Sequence, residues 1–208
     1  MSPDKKIADF FKKYPTKIYK QNQTILEAYQ TPKYAIFIKN GSVDQFDITK
    51  NGNKVILNTY KSGAFFSMSW FLVDIQNKYF FVANQKSEII EAPSQSVKLF
   101  LNTNPDVVSW QLNRLVRGAD GLLKRLNVHM SGSADERILL ELSILASRFS
   151  LPNKNGACQI HISVQQLAWQ AGLSRESVSR TIKKLEHQKK LSHKKGFFVL
   201  PKIASEHL

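Results

Sequence analysis

Residues 163–184 read SVQQLAWQAGLSRESVSRTIKK, a pattern of two short amphipathic helices joined by a tight turn around Gly172. Ser163, with Gln166 three residues later, has the spacing of a capping box, and Ser174 is placed to cap the second helix. Gly172 falls in the turn, where the chain needs a positive φ that penalises a residue with a β-carbon. The stretch predicts a helix-turn-helix, whose second helix enters the major groove of double-stranded DNA.

The outer face of the second predicted helix carries side chains that suit contacts with base edges. Arginine matches the O6 and N7 acceptors of guanine, and glutamate accepts a hydrogen bond from cytosine N4. The alternative is an ordinary helix pair with a solvated basic face; the caps and the turn glycine, combined with the grouping of arginine and glutamate, favour the DNA-reading interpretation. We predict DNA contacts in this stretch from Ser163, Ser174, Arg175, Glu176, Ser177, Ser179, Arg180 and Lys183.

The chain has 208 residues and a formal net charge of +14 at pH 7. This length accommodates one large or two modest domains, and we favour two. The positive charge favours a polyanionic partner, with nucleic acid preferred to a membrane because no lipidation signal or hydrophobic anchor is found. No segment approaches the ~20 apolar residues that span a bilayer. We therefore expect a cytoplasmic protein with no membrane partner.

Cysteine and histidine usage restricts the metal and redox chemistry. The one cysteine, Cys158, rules out an internal disulfide, a four-cysteine zinc site and an iron–sulfur cluster held by four cysteines of one chain. All five histidines lie beyond residue 128, which disfavours a haem in the N-terminal half. A cupin-like enzyme with a DNA-binding tail would need clustered histidine and carboxylate ligands, and residues 18–100 contain no histidine. We predict no metal and no enzymatic activity.

Residues 18–100 alternate short apolar runs with turn signals and predict a small antiparallel β-roll. Asn40-Gly41 and Asn51-Gly52 are typical hairpin turns, because these pairs tolerate positive φ. The predicted strands are Tyr34–Ile38, Val43–Ile48, Lys54–Tyr60, Phe80–Ala83 and Glu88–Ala92.

Seven aromatic residues lie between Phe65 and Phe81. Such a density is more often plain hydrophobic core, and it also suits an apolar pocket for a small effector molecule. The candidate effector pocket consists of Phe66, Met68, Trp70, Phe71, Tyr79 and Phe81.

A helical pattern of about seven turns begins at Pro105 and ends at Ser131-Gly132-Ser133. Its apolar residues recur at alternating spacings of four and three, a heptad seam that suits pairing with a second copy of the chain. The alternative is a helix packed on its own roll. Gly118 and Gly121 interrupt either arrangement, and we favour a flexible signalling point there. The predicted dimer seam consists of Val108, Leu112, Leu115, Ala119, Leu122 and Leu126.

The C-terminal part adds a second helix start and a hairpin. Ser133 and Glu136 form another capping-box signature, which opens a helix over residues 135–149. Residues 191–200 read as a hairpin that turns at Lys194-Lys195-Gly196, a basic wing placed to contact phosphates. The predicted domains are a β-roll sensor over 1–103, a dimerisation helix and hinge over 104–132, and a winged helix-turn-helix over 133–208.

This order of elements resembles the CRP/FNR family of bacterial transcription regulators over essentially the whole chain. The resemblance is most specific at residues 172–180, GLSRESVSR, which look like the recognition motif of catabolite-activator-type members. It implies an α+β fold with a cyclic-nucleotide-binding-like jelly roll, and a homodimer for which RNA polymerase is a candidate partner. It also implies that Arg175, Glu176 and Arg180 read an inverted repeat of TGTGA-like half-sites.

The predicted sensor departs from the family pattern at the residues that hold a cyclic nucleotide. Members that bind one use a Gly-Glu pair for the ribose and an Arg-Ser/Thr pair for the phosphate, whereas Ser67-Met68 and Asn77-Lys78 stand here. The carboxylate and the arginine fork are the two main anchors of the nucleotide. Because this sequence has neither at those positions, cyclic AMP is disfavoured as the effector. The effector remains open between an apolar molecule, another metabolite or peptide, and none. The competing function is a non-specific nucleoid or RNA-binding protein that depends on charge alone.

Overall fold

The computed structural model describes residues 1–30, 32–150 and 156–201, and the side chains of residues 69 and 71 fall outside this description. The chain divides into two compact units, residues 1–118 and 119–208. The division falls inside one long helix, α4 (Pro105–Ser131). None of the helices in the described ranges is long and apolar enough to cross a membrane.

The first unit is built on two four-stranded antiparallel sheets, with strand orders β1-β8-β3-β6 and β2-β7-β4-β5. All five predicted strands are present, with ends within two residues of the predicted ones. Three short strands, β1, β2 and β6, were not predicted. The strands are β1 (Thr16–Tyr19), β2 (Thr24–Leu26), β3 (Tyr34–Asn40), β4 (Ser42–Ile48), β5 (Lys54–Lys61), β6 (Phe65–Phe66), β7 (Phe80–Ala83) and β8 (Ser87–Pro93).

Three helices besides α4 belong to this unit: α1 (Pro3–Phe11), α2 (Met68–Leu72) and α3 (Ser94–Asn102). None of these three helices was predicted from the sequence. In particular, α3 follows β8 directly, so a helix lies between the last strand of the roll and the helical pattern predicted from Pro105. Pro93 occupies the N-cap position of α3 and makes no side-chain cap, so the usual sequence signal for a helix start is absent.

Strand β3 is buried on both faces and separates two hydrophobic clusters. Ile36 and Ile38 face the cluster between the two sheets, whereas Ala35 and Phe37 face helices α1, α3 and the start of α4. The Phe11 ring of α1 stacks on Phe37 with a centroid separation of 4.9 Å. This double burial explains why β3 is a continuous apolar run instead of an alternating one.

The second unit packs helices against a three-stranded sheet of order β10-β11-β9. Strands β10 and β11 form the predicted hairpin, and its tip is Lys195-Gly196, with Gly196 at a φ of 89°. The capping box of Ser133 and Glu136 starts α5 as predicted. The elements are the end of α4, α5 (Ala134–Phe149), β9 (Cys158–Ile160), α6 (Val164–Ala171), α7 (Arg175–His187), β10 (Ser192–Lys194) and β11 (Phe197–Leu200).

A carboxyl group is buried inside the roll. Asp44 on β4 is buried, and its Oδ1 accepts a hydrogen bond of 2.7 Å from the Thr59 hydroxyl on β5. Burial raises the pKa of Asp44 to about 6, although the Thr59 hydrogen bond and the charge of Lys54 act in the opposite direction. The folded state therefore holds a proton that the unfolded chain has released by pH 6.

We expect Asp44→Asn to stabilise the protein at pH 7.5 by about 1–2 kcal/mol, and by much less near pH 4. The folded pKa lies above the unfolded value of 3.8, so the native state binds more protons and loses stability as the pH rises from about 4 to 6. Urea unfolding of both proteins at several pH values measures the difference. The control is Asp47→Asn, an exposed carboxylate on the same strand, and a pH-independent effect of Asp44→Asn would contradict the prediction.

Candidate functional site

Local hydrogen bonds fix both helix starts of the helix-turn-helix, α6 and α7. The Ser163 hydroxyl accepts from the Gln166 backbone N–H at 3.1 Å, and Gln166 Oε1 accepts from the Ser163 N–H at 3.1 Å. At the start of α7, the Ser174 hydroxyl accepts from the Ser177 N–H at 3.2 Å. Gly172 between the helices is left-handed, with a φ of 61°. The predicted caps and turn are therefore present.

Helix α7 is held by an apolar stripe on its inner face. Val178, Ile182 and Leu185 are buried in one cluster with Leu167 and Ala171 of α6. Because these side chains recur every three or four residues, the remaining faces of α7 point away from the core. This packing fixes which side chains of α7 are available to a ligand.

The outer face of α7 presents charges of both signs to solvent. Arg175, Glu176, Arg180 and Lys183 are exposed, as is the cap residue Ser174. Hydrogen bonds from its own backbone N–H and from Ser174, together with the nearby arginine charges, hold the pKa of Glu176 below its usual value. Glu176 is therefore a charged acceptor at neutral pH, flanked by two fork-shaped donors.

The other predicted contact residues are less uniform. Ser177 and Ser179 are half-buried, while Ser163 at the start of α6 is exposed. In the wing, Lys194 and Lys195 are exposed, and the His193 backbone N–H donates to Glu186 Oε1 of α7 at 2.7 Å. This bond joins the wing to the end of α7, so the wing lysines and α7 are held on one scaffold.

A cavity of about 130 Å³ lies in the roll. Four of the six residues of the candidate effector pocket, Phe66, Trp70, Tyr79 and Phe81, line it. Met68 instead packs against the cluster beneath the helices, and the side chain of Phe71 lies outside the described residues. The other lining residues lie outside the predicted candidate pocket, although Ser67, Asn77 and Lys78 were named for the family's nucleotide-binding positions: Gln45, Tyr60, Ser67, Ile75, Gln76, Asn77 and Lys78.

Two lining residues lie within the stretches where the family pattern has its Gly-Glu and Arg-Ser/Thr pairs, Ser67 at the glycine position and Asn77 at the arginine position, and both hold the backbone. Ser67 has a φ of 78°, and its hydroxyl accepts from the Ile36 N–H at 3.1 Å and donates to the Phe66 carbonyl. Asn77 is 1% exposed, and its amide donates to the carbonyls of Glu27 and Tyr79 at 3.0 and 2.8 Å. Both side chains have structural partners within the protein.

An exposed apolar stripe runs along the middle of α4. Residues 112–124 are all exposed, and Leu115 and Leu122 on the predicted seam are 70% and 57% exposed. Gly118 and Gly121 lie within this stretch, and a β-carbon built on either would meet nothing within 4 Å among the described atoms outside the helix's own backbone. The remaining seam residues show the same exposure: Val108, Leu112, Ala119 and Leu126.

Comparison with known proteins covers both units. The family model of the cyclic nucleotide-binding domain matches residues 16–104, and that of the Crp-like helix-turn-helix domain matches residues 136–204. The cAMP-activated global transcriptional regulator CRP of Pasteurella multocida is 26% identical over 184 residues, which cover 86% of this chain and 84% of that protein.

Solved structures share the fold. The global regulator CLP of Xanthomonas campestris, described as c-di-GMP responsive, has a TM-score of 0.76 at 18% identity, covering 95% of this chain and 98% of that one. A CRP/FNR family transcriptional regulator from Thermus thermophilus has a TM-score of 0.71 at 19% identity, covering 92% and 98%. With a cyclic nucleotide-binding domain matched in the first unit and a Crp-like helix-turn-helix in the second, the chain belongs to the CRP/FNR family of transcription regulators.

Proposed function

We propose that this protein is a homodimeric regulator whose two α7 helices read an inverted repeat with TGTGA-like half-sites. Regulators of this family bind DNA and act as dimers. The observation that carries the proposal is the group of Arg175, Glu176 and Arg180, all exposed at the start of a helix whose opposite face is buried. Two arginine forks for guanine and one charged carboxylate for cytosine match a half-site rich in G·C pairs at its contacted positions.

The dimer proposal rests on the exposure of α4. Residues 112–124 present leucines and a valine to solvent along several turns. Exposed apolar stripes of this kind mark contacts with other proteins. The heptad spacing makes a second copy of the same helix the best-fitting partner. Two α7 helices joined in this way would read half-sites one helical turn apart.

We propose that the effector is a small apolar or aromatic molecule that binds in the cavity of the roll. The family's cyclic nucleotide-binding domain suggests effector binding. However, Met68 stands at the position of the carboxylate anchor and packs against the other cluster, and Asn77 stands at the arginine position and donates to backbone carbonyls. The aromatic rings of Phe66, Trp70 and Phe81 line the cavity together with polar side chains of Gln45, Gln76 and Lys78. We propose that cyclic AMP is not the effector.

We also propose that the protein acts in the cytoplasm and that RNA polymerase is its downstream partner.

The first test is fluorescence anisotropy of the purified protein on a TGTGA inverted-repeat duplex and on a scrambled duplex, each at two salt concentrations. We expect preference for the inverted repeat, with a salt dependence set by the number of phosphate contacts. Equal affinity for both duplexes, falling steeply with salt, would instead support a charge-driven nucleoid or RNA-binding protein. A thermal-shift screen then tests the effector, since a ligand that binds only the folded state raises its melting temperature.

We expect Arg180→Ala and Glu176→Ala each to cost about 1–3 kcal/mol on the preferred half-site and to relax base preference at one position. Both side chains are exposed, so neither variant should unfold the protein, although Glu176→Ala also removes hydrogen bonds at the start of α7. Lys194→Ala is the matched control, because loss of a phosphate contact weakens all sequences alike. Competition binding with half-site variants measures both effects. If Arg180→Ala lowers the affinity for preferred and scrambled DNA equally, Arg180 does not read a base.

A further inference from the structure

A buried carboxylate joins α4 to α5 in the second unit. The side chain of Glu141 on α5 is 3% exposed, and its Oε1 accepts from Arg125 Nε of α4 at 2.5 Å. His129, one turn further along α4, places its Nε2 3.2 Å from the same oxygen. A carboxylate removed from water needs such compensation, because an unpaired buried charge is strongly destabilising.

Arg125 also reaches the helix-turn-helix. Its Nη2 donates to the main-chain carbonyl of Gln170 at 2.9 Å. Gln170 lies in the last turn of α6, where helix carbonyls have no partner further along the helix. A cation at a helix C-terminus is also favoured by the helix dipole. Arg125 therefore satisfies the end of α6 directly before the turn that leads into α7.

The end of α4 is held by two further contacts. Arg137 of α5 donates from Nη2 to the main-chain carbonyl of His129 at 2.7 Å. The His129 ring lies 3.8 Å from the place where a β-carbon of Gly172 would stand. The His129 ring, whose Nε2 lies 3.2 Å from Glu141 Oε1, is therefore close to the turn between α6 and α7.

We propose that Arg125 is a positioning residue for DNA recognition: with one guanidinium fork it ties Glu141 of α5 and the end of α6 to α4, and so fixes the direction in which α7 leaves the turn. Arg125 lies far along the chain from the base-reading residues and acts through the α6–α7 turn. The proposal rests on DNA binding by α7 and is independent of the TGTGA assignment.

The guanidinium group suits this role because its donors point in different directions. Nε is directed at Glu141 and Nη2 at Gln170, and one rigid plane holds both bonds. The ammonium of a lysine is a point charge that can balance Glu141 but does not span both acceptors in this geometry. Arg125→Lys should therefore separate charge compensation from positioning.

The decisive variant is Arg125→Met with Glu141→Leu. Removing Arg125 alone would leave a buried charge and risk unfolding, whereas removing both partners in favour of apolar residues of similar size restores stability in favourable cases. Affinity is measured with an operator selected in vitro by the wild-type protein, so that failure of the proposed half-site does not affect the result. Melting temperature and hydrogen exchange of residues 164–174 are recorded on the full chain.

We expect the double variant to melt close to the wild-type temperature, to bind the selected operator at least tenfold more weakly and to exchange the Leu173 amide at least tenfold faster. That amide donates to the Ala168 carbonyl at 3.1 Å in the intact turn. Lys124→Met is the matched control and should leave all three values unchanged, because Lys124 is exposed and lies on the face of α4 opposite the seam at helical spacing.

Wild-type operator affinity in a stable double variant would overturn the proposal, since Arg125 would then serve stability alone. If the double variant melts far below the wild-type temperature, the Arg125→Lys variant tests the proposal instead. A normal melting temperature with operator affinity reduced at least threefold supports positioning, and unchanged affinity and exchange overturn it.

Discussion

Leu115→Glu combined with Leu122→Glu is expected to leave the protein monomeric and to lower its affinity for an inverted-repeat operator at least a hundredfold. Both leucines are exposed on α4, so glutamate at these positions costs the folded chain little by itself. In the proposed dimer, each glutamate would face its own copy across the seam, where an apolar contact is replaced by like charges. Separate monomers lose the effective concentration that couples two half-sites, an effect worth about 10²–10⁴.

Analytical ultracentrifugation and operator binding measure this pair of effects. Asn113→Glu is the matched control, because residue 113 is exposed and lies on a face of α4 away from the seam at helical spacing. The control should remain a dimer with near-normal affinity. A double-glutamate protein that remains dimeric would show that the seam is not the contact between the two copies.

Gly172→Val is expected to abolish selective operator binding and to destabilise the second unit by about 2–3 kcal/mol. The φ of 61° at this position is a conformation that residues with a branched β-carbon rarely adopt. Valine also adds two methyl groups beyond a β-carbon site that already lies 3.8 Å from the His129 ring. The turn must therefore change its path, and the direction of α7 changes with it.

Gly172→Asn is the control for this variant, because asparagine tolerates the left-handed conformation far better than valine. We expect Asn to cost at most about 1 kcal/mol and to keep operator selectivity. Urea unfolding and competition binding measure both variants. Equal stability of the valine and asparagine proteins would mean that the turn is free to rearrange.

The sequence predicted those elements whose signals are local. Capping serines at 133, 163 and 174 and the turn glycine at 172 predicted four helix boundaries of the second unit. The elements it missed depend on distant partners. Strand β6 is two residues long and exists because Phe65 and Phe66 pair with β3, and α3 starts without a side-chain cap.

The functional sites divide in the same way. The charged group on α7 follows from helical spacing within six residues of sequence, from Arg175 to Arg180. The cavity lining was predicted only where aromatics cluster, because Gln45 and Tyr60 come from paired strands and form their hydrogen bond of 3.0 Å across them. Arg125, Glu141 and Gln170 are separated by 16 and 29 residues. No local sequence pattern indicates that Arg125 contacts the other two.

If α4 pairs with a second copy as proposed, the folding of its exposed middle, residues 112–124, depends on the concentration of the protein. A helical segment as short as residues 112–124 is marginal in water without tertiary packing, and Gly118 and Gly121 each weaken it by ~1 kcal/mol relative to alanine. In the proposed dimer, residues 112–124 gain their helical order together with the partner. Dilution below the dissociation constant would then melt this stretch and disconnect the two halves of the helix in one step. The copy number of the protein in the cell would thereby act as a signal. Operator occupancy would rise more steeply with protein concentration than it would for a rigid monomer that binds one site.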